Sequence, residues 1–244
     1  MINNFDLIIW DLDGTLLDTS EGILAASKYV IAKHGFEVPA DDVLKTFIGP
    51  PLQQSFIKFF NVTEEESKEM ANAFRQRYLE AELLKATPYD GMLALVHDIS
   101  ISGVKQGVAT YKRQDLAEKI LDNFGFADYV DMIFGSDLEG KLTKSDIIEK
   151  VIKTSGVVER DKIVMIGDSK GDQKGAAQAG IDFIGVTYGF GFMEGEQEYK
   201  FKLAGNVTEI RGMFEKLNIL PPLVGSGISL ANGRSKSIWK AQRG

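Results

Sequence analysis

The chain has 244 residues, 44% hydrophobic and 26% charged, a balance that fits one large folded domain or two modest ones and excludes disordered or collagen-like chains. With 28 Lys+Arg against 35 Asp+Glu the net charge is −7, so no basic surface for nucleic acid is expected and an anionic ligand must be met by local positive charge. The absence of cysteine removes disulfides, thiolate nucleophiles and thiolate metal sites.

No run approaches the ~20 apolar residues of a membrane-spanning helix. Met1–Asp6 carries no basic region of the kind that opens a signal peptide, so a cytoplasmic protein without a membrane partner is expected. Leu7-Ile8-Ile9-Trp10 reads as a buried strand that stops in the polar turn Asp11-Leu12-Asp13-Gly14-Thr15. The next stretch has no strand signal. Ser20–His34 places Ile23, Ala26 and Val30 at near-helical spacing, and Thr63-Glu64-Glu65-Glu66 has the form of a capping box ahead of a helix through Met70, Phe74, Tyr78 and Ala81. Residues 18–85 are therefore expected to form an inserted all-helical cap domain. Its two connections, near Leu16–Thr19 and Lys85–Tyr89, would permit hinge motion.

Further on, the apolar segments Gln106–Thr110, Met132–Gly135, Ile163–Gly167 and Phe183–Thr187 alternate with helical patterns at Arg113–Phe124, Ser145–Thr154 and Lys170–Ala179. This alternation predicts an α/β core over residues 1–17 and 86–222, a Rossmann-like parallel sheet with helices on both faces and ligands beyond the carboxyl ends of the strands. Residues 223–244 hold Arg234, Lys236, Lys240 and Arg243, no acid, and much Gly and Ser; they read as a basic C-terminal tail.

Two carboxylates spaced i, i+2 beyond a strand, Asp11 and Asp13, can approach one small site, one as nucleophile and the other as acid and base. A plain polar turn would look similar. Gly167-Asp168-Ser169-Lys170-Gly171-Asp172 also follows an apolar strand and brings Asp168 and Asp172 to the same sheet edge. Carboxylates gathered there would repel unless a hard divalent cation, most simply Mg²⁺, joined them. Thr110 offers a hydroxyl at a strand end and Lys144 an ammonium, both suited to a phosphoryl group, although either alone is ordinary surface chemistry.

Taken in order, Asp-x-Asp-Gly-Thr-Leu, a strand-end Thr, a Lys and Gly-Asp-x-x-x-Asp resemble the four motifs of the haloacid dehalogenase superfamily, over roughly Asp6 to Phe214. The helical insert, Ile48-Gly49-Pro50-Pro51-Leu52-Gln53-Gln54-Ser55-Phe56 and Thr187-Tyr188-Gly189-Phe190-Gly191 are similar to its phosphoglycolate phosphatase-like branch. The resemblance implies Asp11 as nucleophile, Asp13 as general acid and then base, and Thr110 and Lys144 as phosphoryl ligands. It further implies Mg²⁺ on Asp11, the Asp13 carbonyl and Asp168, with Asp172 behind them, and backbone amides of Leu12, Asp13 and Tyr111 toward the phosphoryl oxygens. Tyr111 stands where many members have Asn, and Ser145 where many have Pro or Gly. Neither change removes a reacting group.

Gln53, Gln54 and Ser55 either face the substrate or simply begin a helix after the proline pair. His34, His97, Phe190 and Phe192 read as structural residues. The implied activity is a phosphatase acting on a small phosphorylated metabolite such as phosphoglycolate or a nucleoside monophosphate, as a monomer or homodimer. The alternatives are a phosphomutase resembling β-phosphoglucomutase and a phosphate-accepting signalling or binding protein. A sugar mutase would need a cap cation for the second phosphate, and Gly49–Ser55 has none; Lys45 and Lys58 are the nearest.

Overall fold

The computed structural model describes residues 5–48, 52–137, 141–192 and 202–222; Gly49-Pro50-Pro51 and the expected basic tail lie outside them. Six strands form one parallel sheet in the order β5-β4-β1-β6-β7-β8. They are β1 (Leu7–Trp10), β4 (Lys105–Arg113), β5 (Met132–Ser136), β6 (Ile163–Gly167), β7 (Asp182–Val186) and β8 (Lys202–Ala204). The helices α5 (Met92–Ser102), α6 (Gln114–Asn123), α7 (Lys144–Ser155), α8 (Lys170–Ala179) and α9 (Val207–Lys216) alternate with them, as the sequence predicts for most.

β1 is central because every one of its side chains is apolar and buried. Leu7 and Ile9 pack with Ile147, Ile148 and Val151 of α7 and Ala176 of α8, whereas Ile8 and Trp10 join Val96, Ile99, Leu116 and Ile120 of α5 and α6. The polar edge of Trp10 is satisfied within this core. Its Nε1 donates to Gln106 Oε1 at 3.0 Å, and Gln106 Nε2 donates to the carbonyls of Val96 and Tyr129 at 2.8 and 3.1 Å. From β1 the chain builds outward through β4 and β5, then returns to β1's other side and builds through β6, β7 and β8. The two neighbours of β1 thus lead away in opposite directions, and the crevice at its carboxyl end is where such sheets bind ligands.

Two differences from the sequence reading bear on the site. β4 continues to Arg113 rather than stopping at Thr110, with a register shift against β5 between Ala109 and Arg113. The irregularity re-aims the strand at its end, and Gly135 makes room for it, since a Cβ there would lie 2.5 Å from the Lys112 carbonyl oxygen. The sequence reading also leaves α5, β8 and α9 unassigned; β8 is only three residues long, and the N-cap of α9, Asn206 accepting from the Glu209 amide, is a signal it passes over.

The helical insertion hangs on a two-stranded stem in which β2 (Leu17–Asp18) pairs antiparallel with β3 (Thr87–Pro88). It contains α1 (Ser20–Lys33), α2 (Asp41–Lys45), α3 (Leu52–Phe60), α4 (Glu64–Arg77) and a π turn over Tyr78–Glu82. α4 begins with the expected capping box: Glu66 Oε2 accepts from the Thr63 amide at 2.8 Å, and Thr63 Oγ1 accepts from the Glu66 amide at 3.2 Å. The helix runs on as a π turn instead of a regular end. There the buried carboxylate of Glu82 pairs with Arg77, and lies 2.7 Å from Lys85 at the return to the stem.

Candidate active site

Asp11 leaves β1 with its amide still on the ladder, donating to the Ile166 carbonyl at 2.9 Å. Its carboxylate is therefore fixed beside the end of β6, where Gly167 and Asp168 follow. Asp11, Asp168 and Asp172 each offer an oxygen within 4.8 Å of the others, and all three are buried. Lys144 reaches them from the first turn of α7. Its Nζ donates to Asp11 Oδ1 at 2.6 Å and to the Ala109 carbonyl at 3.0 Å, and stands 2.7 Å from Asp172 Oδ1. Small residues permit this approach: a Cβ on Gly175 would fall 2.6 Å from Lys144 Cγ, and one on Gly167 would fall 2.6 Å from Asp172 Cβ.

Asp172 performs two tasks. Its Oδ2 accepts from the amide and hydroxyl of Ser169, at 3.0 and 2.6 Å, closing the capping box of α8, while Oδ1 faces Lys144. Asp168 is held on its other side, where Oδ2 accepts from the Phe190 amide at 2.6 Å. Gly14, at φ +85°, and Gly189 form the walls of this corner. A Cβ on either would lie 2.3 to 2.5 Å from Asp168 Oδ2, so the pocket around that oxygen exists because both residues lack one.

Burial raises the Asp11 carboxyl to about 7, against the opposing pull of Lys144, with Asp172 and Asp13 adding to the rise. Asp168 is raised as well, by burial and then by Asp11 and Asp172. Lys144 is held charged by Asp11 and Asp172 despite its burial. Counted as ionised groups, the three carboxylates of Asp11, Asp168 and Asp172 and the one ammonium of Lys144 sum to −3 + 1 = −2. A divalent cation of oxygen preference restores neutrality, and the hard donor set fits one.

Asp13 points elsewhere. Its Oδ1 accepts from Thr19 Oγ1 at 2.7 Å and from Lys112 Nζ at 2.8 Å, and the same ammonium donates to Tyr78 Oη at 3.1 Å. Asp13 is thereby tied to the stem through Thr19 and to the helical insertion through Lys112. Thr110 is buried beside it in sequence, its hydroxyl accepting from the Lys112 amide at 3.1 Å. Tyr111 is half-exposed, with Oη accepting from the Lys144 amide at 2.9 Å and its ring 5.1 Å from the Lys144 ammonium. Leu12 is buried in the tight turn, its carbonyl accepting from the amides of Leu16 and Leu17.

The structure thus gathers Asp11, Asp168, Asp172 and Lys144 at one point, with Asp13, Thr110 and Tyr111 around it. Gln53, Gln54 and Ser55 lie in the first turn of α3, half-buried, exposed and buried in that order; among the described residues no hydrogen bond joins them to that cluster. The sequence reading misses Lys112 and Thr19 altogether. Each had a signal, Lys112 two residues after Thr110 and Thr19 at the entrance to the insertion, but neither spacing alone distinguishes it from a surface residue. Phe190 contributes by its amide, which no side-chain pattern reveals.

Residues 8–186 match the family model of haloacid dehalogenase-like hydrolases. The chain belongs to that family. This hydrolase is 35% identical over 185 residues to a 5'-nucleotidase of Pseudomonas aeruginosa, covering 75% of this chain and 83% of the other. A phosphoglycolate phosphatase of Caulobacter vibrioides is 30% identical over 191 residues, covering 75% of this chain and 79% of its own. Among solved structures, a predicted phosphatase from Clostridium acetobutylicum superposes with a TM-score of 0.81 at 33% identity, covering 88% of this chain and 100% of that one. The hydrolase is a phosphatase of the phosphoglycolate phosphatase-like branch. No helix among its described residues is long and apolar enough to cross a membrane.

Proposed function

We propose that this phosphatase hydrolyses small-metabolite phosphate monoesters, of the phosphoglycolate or nucleoside monophosphate kind, through a phosphorylated Asp11 with Mg²⁺ as its cation. The observation that carries the reading is the buried Asp11 carboxylate, fixed 2.6 Å from Lys144 with a second carboxylate two residues on. Asp11, the Asp13 carbonyl and Asp168 would hold the metal; Asp172 stands behind them because both its oxygens are already engaged, by Ser169 and Lys144. When bound, the cation would neutralise phosphoryl oxygens that the two carboxylates alone would repel.

In the first step an Asp11 oxygen attacks phosphorus in line, and the alkoxide of the substrate leaves. The Thr110 hydroxyl, the Lys144 ammonium and the amides of Leu12 and Tyr111 bind the phosphoryl oxygens, which is most of what phosphoryl transfer requires. Asp13 gives its proton to the leaving oxygen. Both described hydrogen bonds to Asp13 fall on Oδ1, which leaves Oδ2 to carry that proton. In the second step the Asp13 carboxylate takes a proton from water as it attacks the phosphorus, and Asp11 is released with inorganic phosphate. Helices α1 to α4 would act as a cap, moving on the stem of β2 and β3.

Phosphate release from a panel of monoesters with Mg²⁺ tests the reading. Turnover is expected with one or more small esters and is expected to fall by at least a thousandfold in Asp11→Asn, which folds but offers an amide where the nucleophile must be. Hydrolysis by Asp11→Asn within tenfold of the wild-type rate would sink the aspartyl-phosphate route.

A further inference from the structure

Residues 187–192 leave β7 and run directly onto Asp168. The run is anchored at both ends: the Thr187 amide donates to the Ala204 carbonyl of β8 at 3.0 Å, and the buried Phe192 ring meets Phe183 of β7 edge-on, with centroids 6.2 Å apart. Between these anchors Tyr188 Oη donates to the Thr15 carbonyl at 3.2 Å, and its ring packs on that of Tyr89 with centroids 4.5 Å apart. The loop is thereby tied to the turn that carries Asp11 and Asp13. Its glycines seat it on Asp168. A Cβ on Gly189 would collide with Asp168 Cβ and with the Gly14 carbonyl oxygen, and one on Gly191 would lie 2.6 Å from the Asp168 carbonyl oxygen, so backbone meets backbone where no side chain fits.

This seating ends in the 2.6 Å hydrogen bond from the Phe190 amide to Asp168 Oδ2. That oxygen holds a charge-assisted bond and is walled by Gly14 and Gly189, which leaves a cation no approach to it. Among the described residues no hydrogen bond falls on Asp168 Oδ1. Asp11 and Asp172 are engaged in a related way: Lys144 occupies Oδ1 of Asp11, and Asp172 has Ser169 on Oδ2 and Lys144 2.7 Å from Oδ1. The edge therefore offers single oxygens and denies a cation any carboxylate by both. Mg²⁺ demands near-octahedral geometry, which single oxygens suit; Ca²⁺ takes more ligands in looser geometry and readily accepts both oxygens of one carboxylate.

We infer that the loop Tyr188–Gly191 is a clamp that holds Asp168 to donation through Oδ1 alone and thereby selects a small octahedral cation over Ca²⁺. Phe190 acts through its backbone amide and Tyr188 through its hydroxyl, both as positioning residues for the carboxylate. The inference rests on the metal reading proposed above for the role of Asp168, and on the loop for the selectivity. Loosening the clamp frees the second oxygen, so Ca²⁺ gains affinity relative to Mg²⁺. A loop that only filled space would, when loosened, lower stability and leave that ratio alone.

Calorimetric titration of the metal-free, full-length protein with Mg²⁺ alone and with Ca²⁺ alone reads the clamp without substrate or turnover. Phe190 is replaced by its α-hydroxy analogue through nonsense suppression, which exchanges the amide N–H for an ester oxygen and keeps the ring. The ratio of the Ca²⁺ to the Mg²⁺ dissociation constant is expected to fall by about tenfold in this protein and by about threefold in Tyr188→Phe. Melting curves in EDTA, recorded beside the titrations, separate a loss of stability from a change of selectivity.

A ratio unchanged in both variants would overturn the clamp, and so would a wild-type protein that binds neither ion or binds Ca²⁺ as tightly as Mg²⁺. Selectivity that falls as expected, in a protein that releases phosphate from no ester, would keep the clamp and overturn the phosphatase reading. Phosphate release by wild type with Mg²⁺, together with an unchanged ratio in the variants, would do the reverse.

Discussion

Lys144 binds Asp11 at 2.6 Å from 133 positions further along the chain, tying the first turn of α7 to the carboxyl end of β1. It also stabilises. Two buried carboxylates, Asp11 and Asp172, share that ammonium, so Lys144→Met would leave them without compensation. The loss of a buried charge partner costs about 3–5 kcal/mol where the remaining charge cannot escape to water. We expect Lys144→Met to lower the melting temperature by many degrees in chelator and turnover by at least a hundredfold in Mg²⁺. Lys144→Arg should not rescue turnover, because the side chain runs against Gly175 with no room for a broader guanidinium. Near-normal turnover in Lys144→Met would remove this residue from the phosphoryl pocket.

The raised carboxyl of Asp11 sets a pH dependence with a defined sign. Its ordinary value is 3.8 and the folded protein raises it to about 7, so the folded state holds the proton more tightly than the unfolded chain. That contribution is complete below 3.8 and is lost as pH rises through 7. In EDTA, the melting temperature should therefore fall as pH goes from 5 to 8. Mg²⁺ should remove most of that fall, because a bound cation favours the ionised carboxylates and releases protons on binding. Differential scanning calorimetry across that range, with and without Mg²⁺, checks the sign. A metal-free protein that grows more stable toward pH 8 would contradict the assignment of strain to this cluster. Activity should vanish in EDTA, return with Mg²⁺ and return poorly with Ca²⁺, whose looser coordination misplaces the nucleophile.

The residues that carried their signal in the sequence are those whose chemistry and strand-end position coincide. Asp11, Asp13, Asp168 and Asp172 each stand just beyond an apolar strand, and a strand of four or five buried residues is hard to mistake. Lys112 gives no such signal. Its importance comes from meeting Tyr78 of the π turn, and that meeting depends on how the insertion lies over the sheet edge. The same holds for Thr19, whose hydroxyl reaches Asp13 through the fold of the stem. Thr110 was visible as a hydroxyl at a strand end, but the irregularity that carries β4 on to Arg113 is a pairing with β5 and leaves no local pattern.

The stem offers a test of close packing away from the chemistry. Gly22 in α1 lies so near the end of the insertion that a Cβ would sit 2.3 Å from the Glu82 carbonyl oxygen and 3.0 Å from that of Lys85. Both are backbone atoms and cannot swing aside. The Gly22 amide donates to the same Lys85 carbonyl at 3.0 Å, so displacement would also stretch this bond. Gly22→Ala gains a little helix propensity, roughly 1 kcal/mol, but the clash should cost about 1–3 kcal/mol or more. A net loss of stability is expected in chemical denaturation, with KM affected more than the integrity of the Asp11 cluster. A Gly22→Ala protein as stable as wild type would show that α1 is not seated this closely on the stem.

The sequence leaves the choice between phosphatase and phosphomutase open. A phosphomutase keeps water from its phosphorylated aspartate until the alcohol has turned. The distinction must then come from the fate of the phosphorylated Asp11. Asp13 is held on Oδ1 by Thr19 and Lys112 at 2.7 and 2.8 Å, and no described hydrogen bond falls on Oδ2, so under the proposed mechanism it can serve as base toward water as soon as the alcohol leaves. We therefore expect turnover in ¹⁸O-water to place one ¹⁸O atom in each phosphate released, with little conversion of glucose 1-phosphate to glucose 6-phosphate even when the bisphosphate primes the reaction. Rapid isomerisation without free phosphate, read by enzyme-coupled assay and mass spectrometry, would transfer the protein to the mutases.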